Sequence, residues 1–137
     1  MPTRRTPFVV YLLILANVLA YVGFDARFVY QWGLVPARFV AHPETQIVTL
    51  FTSMFLHDPT SYLHLGGNML FLWIFGDNVE DALGSLRFAA FYVACGLVAA
   101  AAQILIDPGS PVPMVGASGA ISGVLAAYVS LYPRAAI

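Results

Sequence analysis

The sequence predicts an all-α fold, a polytopic helical bundle embedded in a membrane. Composition is the first reason: 60% of the 137 residues are hydrophobic and 9% are charged, where soluble domains carry roughly a quarter charged residues. Mean hydropathy is +0.80. The second reason is distribution, since the apolar residues gather into four runs over 8–24, 61–76, 88–106 and 115–132. Each approaches the roughly 20 residues a helix needs to cross a hydrocarbon core of about 30 Å. The third reason is that two of these runs hold His64, Asn68 and Ser118, polar groups that lipid tolerates only against a packed interior or a wet cavity.

The run 8–24 is read as the first span. Its basic start (Arg4, Arg5) and the small Ala20 also fit a signal peptide, but three further apolar runs follow, as in a polytopic protein. Residues 25–60 form a long connection containing Tyr30, Trp32, Phe39 and several prolines. Aromatic residues of this kind sit well at the headgroup level, so the connection reads as a loop lying in the interface. Within it, the apolar stretch 47–56 is too short to span and reads as a re-entrant or interfacial piece.

The second span covers 61–76 and the third 88–106, with a short polar turn over 77–85 between them. After the third span, the prolines at 108, 111 and 113 stop helix formation, because proline lacks an N–H and clashes with the preceding turn. The fourth span runs over 115–132 and ends before Pro133. The chain has no internal repeat and reads as one membrane domain, 1–137.

Arginine placement sets the expected orientation. With the N-terminus cytoplasmic, Arg4, Arg5, Arg87 and Arg134 lie inside while Arg27 and Arg38 lie outside, the bias that positive-inside sorting favours. Ser118 then sits just under the outer surface. No Arg-rich, Ser-rich transit segment opens the chain, so the expected location is a bacterial plasma membrane.

Several function classes are excluded. A net charge of -1 without a single lysine offers no surface for nucleic-acid phosphates. Cys95, the only cysteine, cannot form an internal disulfide. Without an HExxH, a cysteine pair or a glycine-rich phosphate loop, no metal or organic cofactor is expected.

His64 and Asn68 stand four apart, which places them on one helix face about 5–6 Å apart. Gly66 and Gly67 lie between them, each costing a helix about 0.8–1 kcal/mol relative to alanine, a cost that close approach of another helix would explain. Ser118 falls in the first turn of the fourth span, where free backbone N–H groups and the helix dipole stabilise an anion such as an acyl-transfer oxyanion. Gly116 and Gly119 flank it. Gly119 and Gly123 make a GxxxG pair suited to close helix packing, and Ser122 is assigned to packing as well. Simpler readings stand beside these: Ser118 as a helix cap, and His57 and His64 as hydrogen-bonding bridges between helices.

Taken together, Thr52-Ser53-Met54-Phe55-Leu56-His57, His64-Leu65-Gly66-Gly67-Asn68-Met69, Gly76-Asp77-Asn78-Val79-Glu80-Asp81-Ala82-Leu83-Gly84 and Gly116-Ala117-Ser118-Gly119 resemble the rhomboid intramembrane serine proteases, in order and spacing over essentially the whole chain. The resemblance implies Ser118 as nucleophile, with His64, Asn68 and the Ser118 backbone N–H as the oxyanion hole. It implies Glu80 and Gly84 as a structural turn and His57 as a loop histidine shaping the entrance to the site. Val48-Thr49 stands where many members carry Trp-Arg. The family's catalytic base is a histidine on a sixth span, whereas the histidines here are His42, His57 and His64. The 137 residues are therefore expected to be the N-terminal four-span part of a six-span protease that does not hydrolyse peptides efficiently alone. The implied substrates are single-span membrane proteins in the lipid bilayer, cut through an acyl-enzyme on Ser118. A rival expectation is a rhomboid-like protein that binds transmembrane clients without cutting them; a channel or transporter subunit leaves the joint motif unexplained.

Overall fold

A computed structural model describes residues 5–135, so Arg4 of the orientation count lies outside the described residues. Within them the chain is helical, as expected, and the one extended pairing is an isolated antiparallel bridge between Leu34 and Met114. The order is α1 (Phe8–Gly23), four short helices α2 (Ala26–Trp32), α3 (Pro36–Ala41), α4 (Pro43–Gln46) and α5 (Thr49–Thr52), and then α6 (Tyr62–Leu83), α7 (Ser85–Ile106) and α8 (Ser118–Leu131).

Among the described residues, α7 is the one helix both long and apolar enough to cross a membrane, with a mean hydropathy of 2.1. α6 equals it at 22 residues but carries His64, Asn68, Asp77, Glu80 and Asp81. α1 and α8 are shorter apolar helices of 16 and 14 residues. At 1.5 Å per residue α8 reaches only about 21 Å, less than a full hydrocarbon core.

Two boundaries differ from the sequence reading, and both have a physical cause. The polar stretch after Gly76 continues as helix to Leu83, because Asn78, Val79 and Glu80 face inward. Glu80 accepts from the backbone N–H of Val9 (3.0 Å) and Val10 (2.9 Å) and from Ser85 Oγ (2.6 Å). It thereby satisfies first-turn donors of α1, a helix without an acidic residue of its own there, and a buried carboxylate needs such partners. The turn shrinks to Gly84, whose φ of +85° suits glycine. At the other boundary, α8 starts at Ser118 because backbone bonds hold Met114 and Gly116 outside the helix and Gly116 has a positive φ. Leu34 and Met114 exchange backbone bonds (3.1 and 2.6 Å), and Gly116 N–H donates to the Ser53 carbonyl (2.9 Å).

The connection 25–60 is ordered by its own polar groups. Arg38 Nη2 donates to the carbonyls of Tyr30, Gln31 and Gly33, and Arg38 Nε donates to Gln46 Oε1. Thr52 Oγ1 donates to the Trp32 carbonyl. The stretch expected to be re-entrant or interfacial forms α5 and a following turn, with Ile47, Val48 and Phe51 exposed and Met54 and Leu56 buried.

Val10, Leu72, Val79, Phe88, Tyr92 and Val124 form the centre of the core, joining α1, α6, α7 and α8. α8 packs tightly on α7: a Cβ at Gly119 would collide with Ala99, and one at Gly123 with Cys95. The GxxxG pair thus lies on a helix seam. Ser122 does not; it is exposed and donates back to the Ser118 carbonyl (2.7 Å), a bond that satisfies a hydroxyl without a partner helix. Gly66 and Gly67 have nothing within 4 Å of where a Cβ would stand, so no described helix makes the close approach expected there.

Candidate active site

Three segments meet at one end of the bundle: the turn after α5, the first turns of α6, and the strand-like run into α8. His64 is exposed in the first turn of α6, and Asn68 lies one turn further in and is buried. Gly116 sits against both. Its φ of +115° is open to glycine rather than to L side chains. A Cβ built there would lie 3.4 Å from His64 Cε1, 3.8 Å from Ser118 Oγ and 3.9 Å from Asn68 Nδ2. Three polar side chains, from α6 and α8, therefore converge on the bare Cα of one glycine.

Ser118 is the first residue of α8 and is exposed. The capping position belongs to Ala117, whose carbonyl accepts from Ile121 N–H (2.9 Å), and no side chain caps the helix. Among the described residues Ser118 Oγ has no hydrogen-bond partner, so the capping role is not the one it plays. Its own N–H is one of the free first-turn donors, beside the positive end of the helix dipole. Gly119 lies one residue on, packed against Ala99 rather than facing the site.

His57 is only 2% exposed. Its ring stands edge-on to His64 at 5.6 Å between centroids, and Asn68 Nδ2 lies 3.0 Å from its Nε2. Burial, and then the neighbouring His64, lower the His57 pKa from 6.5 to about 4, with the Phe55 backbone acting in the opposite sense. The ring is therefore neutral at physiological pH, and the direction of its hydrogen bond with the Asn68 amide follows the ring tautomer. Next to it, Asp58 is exposed and accepts from Thr60 Oγ1 and N–H (2.7 and 2.9 Å), bonds that lower its pKa.

A cleft of about 570 Å³ opens beside His64, with walls that include Tyr30, Asp58, Thr60, Val112 and Met114. It is large enough for several side chains of a peptide, and small-ligand and peptide sites are concave in this way. Of the converging site residues His64 alone lines this cleft, and Met114 and Val115 lead from its wall to Gly116 and Ser118, so a chain held there would approach the site from the His64 side. Among the described residues no group of three or more His, Cys, Asp or Glu is placed to hold a metal.

The sequence pointed to His64, Asn68, Gly116 and Ser118, and the structure brings these together. Two contributors had no assigned role in the sequence: Ser53, which lies within a quoted motif and whose carbonyl fixes Gly116, and Leu34, which lies outside the motifs and pairs with Met114. Both act through backbone atoms, which a side-chain pattern does not report.

Comparison with known proteins bears on the same residues. A family model described as "Rhomboid domain" matches residues 44–137. The chain is 30% identical over 115 residues to rhomboid protein 1, mitochondrial, of Saccharomyces cerevisiae, covering 81% of this chain and 32% of that protein. It is 42% identical over 87 residues to the rhomboid protease GluP of Bacillus subtilis, covering 62% and 16% respectively. With the human presenilin-associated rhomboid-like protein, mitochondrial, it shares 31% identity over 100 residues, 70% of this chain and 26% of that one. The chain thus spans about a third or less of the length of these relatives. No solved structure gives a significant match.

Proposed function

The chain belongs to the rhomboid family of integral membrane proteins, and on that premise we propose that it carries the nucleophile and oxyanion hole of an intramembrane serine endopeptidase. The observation that supports this most is the convergence of His64, Asn68 and Ser118 on Gly116. A serine at a helix N-terminus beside two side-chain donors is what an acyl-transfer site requires.

In the proposed reaction Ser118 Oγ attacks the carbonyl carbon of a substrate peptide bond, and its proton passes to a base. Negative charge builds on the carbonyl oxygen, and the Ser118 N–H, Asn68 Nδ2 and His64 ring donate to it. Each donor of this kind is worth about 10²–10³ in rate. The C–N bond then breaks as the base returns the proton to the leaving amine, and water hydrolyses the Ser118 ester. A serine hydroxyl is a weak nucleophile without such a base, and we assign it to a histidine beyond residue 137. The substrates are transmembrane segments of single-span proteins, locally unwound so that their backbone enters the cleft beside His64.

Sidedness follows the same proposal. The Leu34–Met114 pairing puts the long connection and the 107–117 segment at one end, with Arg27 and Arg38 on that connection. Arg5 lies near Gly84 at the other end, next to the start of α7 and Arg87. We place the second end in the cytoplasm of a bacterial cell, with Ser118 towards the outer leaflet.

A second reading, a protein that binds transmembrane clients without cutting them, is favoured by one observation: no described residue hydrogen-bonds Ser118 Oγ. Cleavage of a single-span substrate by the full-length protein decides between the two. The proposal expects cleavage that Ser118→Ala abolishes while the melting temperature is unchanged. Cleavage that survives the substitution would overturn the protease reading.

A further inference from the structure

We propose that His57 is a positioning residue that sets the orientation of the Asn68 amide and so decides whether the oxyanion hole has a donor there. The proposal deepens the protease reading and rests on it.

An asparagine amide can be turned over about its last bond with almost no change of shape, exchanging a donor for an acceptor. At Asn68 that exchange matters. The amide nitrogen lies 3.9 Å from the point above Gly116 on which the site converges; turned over, an oxygen would occupy that place and repel a developing oxyanion. Something must hold the amide one way round, and its one side-chain partner among the described residues is His57 Nε2, at 3.0 Å. A neutral imidazole can accept at Nε2 only with its proton on Nδ1, which is buried, has no hydrogen-bond partner at bonding geometry among the described residues, and feels the Phe55 backbone only as an influence that raises the pKa. That burial keeps the ring neutral. With one N–H of Asn68 spent on His57, the other is left to point towards Gly116 and Ser118.

His57 is well suited to hold this state. Its ring is fixed edge-on against His64, the other side-chain donor of the hole. It follows the turn that carries Ser53, whose carbonyl fixes Gly116. The turn after α5 therefore aligns both Asn68 and Gly116.

The test is a double-substitution cycle in the full-length protein, with kcat and KM for a single-span substrate measured alongside melting temperature. His57→Ala is expected to lower kcat about 10–100-fold with KM within about twofold, less than the 10²–10³ for loss of a donor outright. On an Asn68→Ala background the same change is expected to cost nothing further, because no amide remains to be oriented. His57→Gln, whose side-chain oxygen can accept in the same place, is expected to recover most of kcat. Losses that multiply in the double variant would overturn the proposal, since His57 would then act independently of Asn68. Should His57→Ala fail to fold, His57→Gln decides alone: kcat within about threefold of the parent supports positioning, and a loss beyond tenfold at an unchanged melting temperature contradicts it. A parent protein whose cleavage survives Ser118→Ala would instead sink the protease reading, an outcome separate from any result at position 57.

Discussion

Replacing Gly116 by alanine adds one methyl group where the account allows none. The new Cβ would stand 3.4 Å from His64 Cε1, 3.8 Å from Ser118 Oγ and 3.9 Å from Asn68 Nδ2, distances of ordinary contact rather than collision. Packing therefore costs little, and the stability cost comes from the backbone. An L residue held at φ +115° pays about 1–3 kcal/mol, which leaves a protein of typical stability, about 5–15 kcal/mol, mostly folded. Activity suffers more, because the methyl fills the space on which the nucleophile and both side-chain donors converge. Excluding the substrate carbonyl from its donors should lower kcat/KM at least about 10²-fold. The assay is cleavage of a single-span substrate by the full-length variant, normalised to folded protein by thermal melting. Gly109→Ala serves as the control, since Gly109 has open space around it and no positive φ. Gly116→Ala with kcat/KM within twofold of the parent would refute the geometric reading of the site.

Glu80→Gln should destabilise the fold by about 2–4 kcal/mol, since charge-assisted bonds to Val9, Val10 and Ser85 are weakened at a buried position; an unchanged chemical-denaturation midpoint in detergent would contradict this. Acid should destabilise the protein through His57, whose pKa falls from 6.5 to about 4 on folding. The unfolded chain then binds the extra proton between those values, so stability is full above pH 6.5, declines as pH drops to about 4, and levels off below. The full span is about 3 kcal/mol, and His57→Gln should flatten that part of a melting-temperature profile; a slope unchanged by the substitution would refute the assignment.

The parts of the site that were legible in the sequence are those whose geometry is local. His64 and Asn68 share a face because four residues make one helical turn, and Gly116 and Ser118 are neighbours across a helix start. The hydrophobic runs likewise announced a helical bundle, since a period and a composition suffice for that. What stayed hidden depends on distant partners. Residues 77–85 read as a polar turn until Glu80 is seen capping α1, which gives a buried carboxylate partners and the helix a reason to continue. Gly66 and Gly67 suggested a helix in close contact, yet their surroundings are open. Ser122 shares the spacing of the GxxxG pair but points off the seam, because Gly119 and Gly123 face α7 and leave the serine to bond its own backbone. The His57–Asn68 bond crosses from a loop to a helix eleven residues on, and no periodicity encodes it.

Covalent labelling tests, without requiring a known substrate, whether Ser118 is an activated nucleophile. The full-length protein, in membranes or mild detergent, is treated with a fluorophosphonate, and the adduct is located by peptide mass spectrometry. An adduct on Ser118 is expected, strongly slowed by Asn68→Ala and by Gly116→Ala. A folded full-length protein in which Ser118 stays unlabelled would contradict the protease reading and leave the client-binding reading in its place.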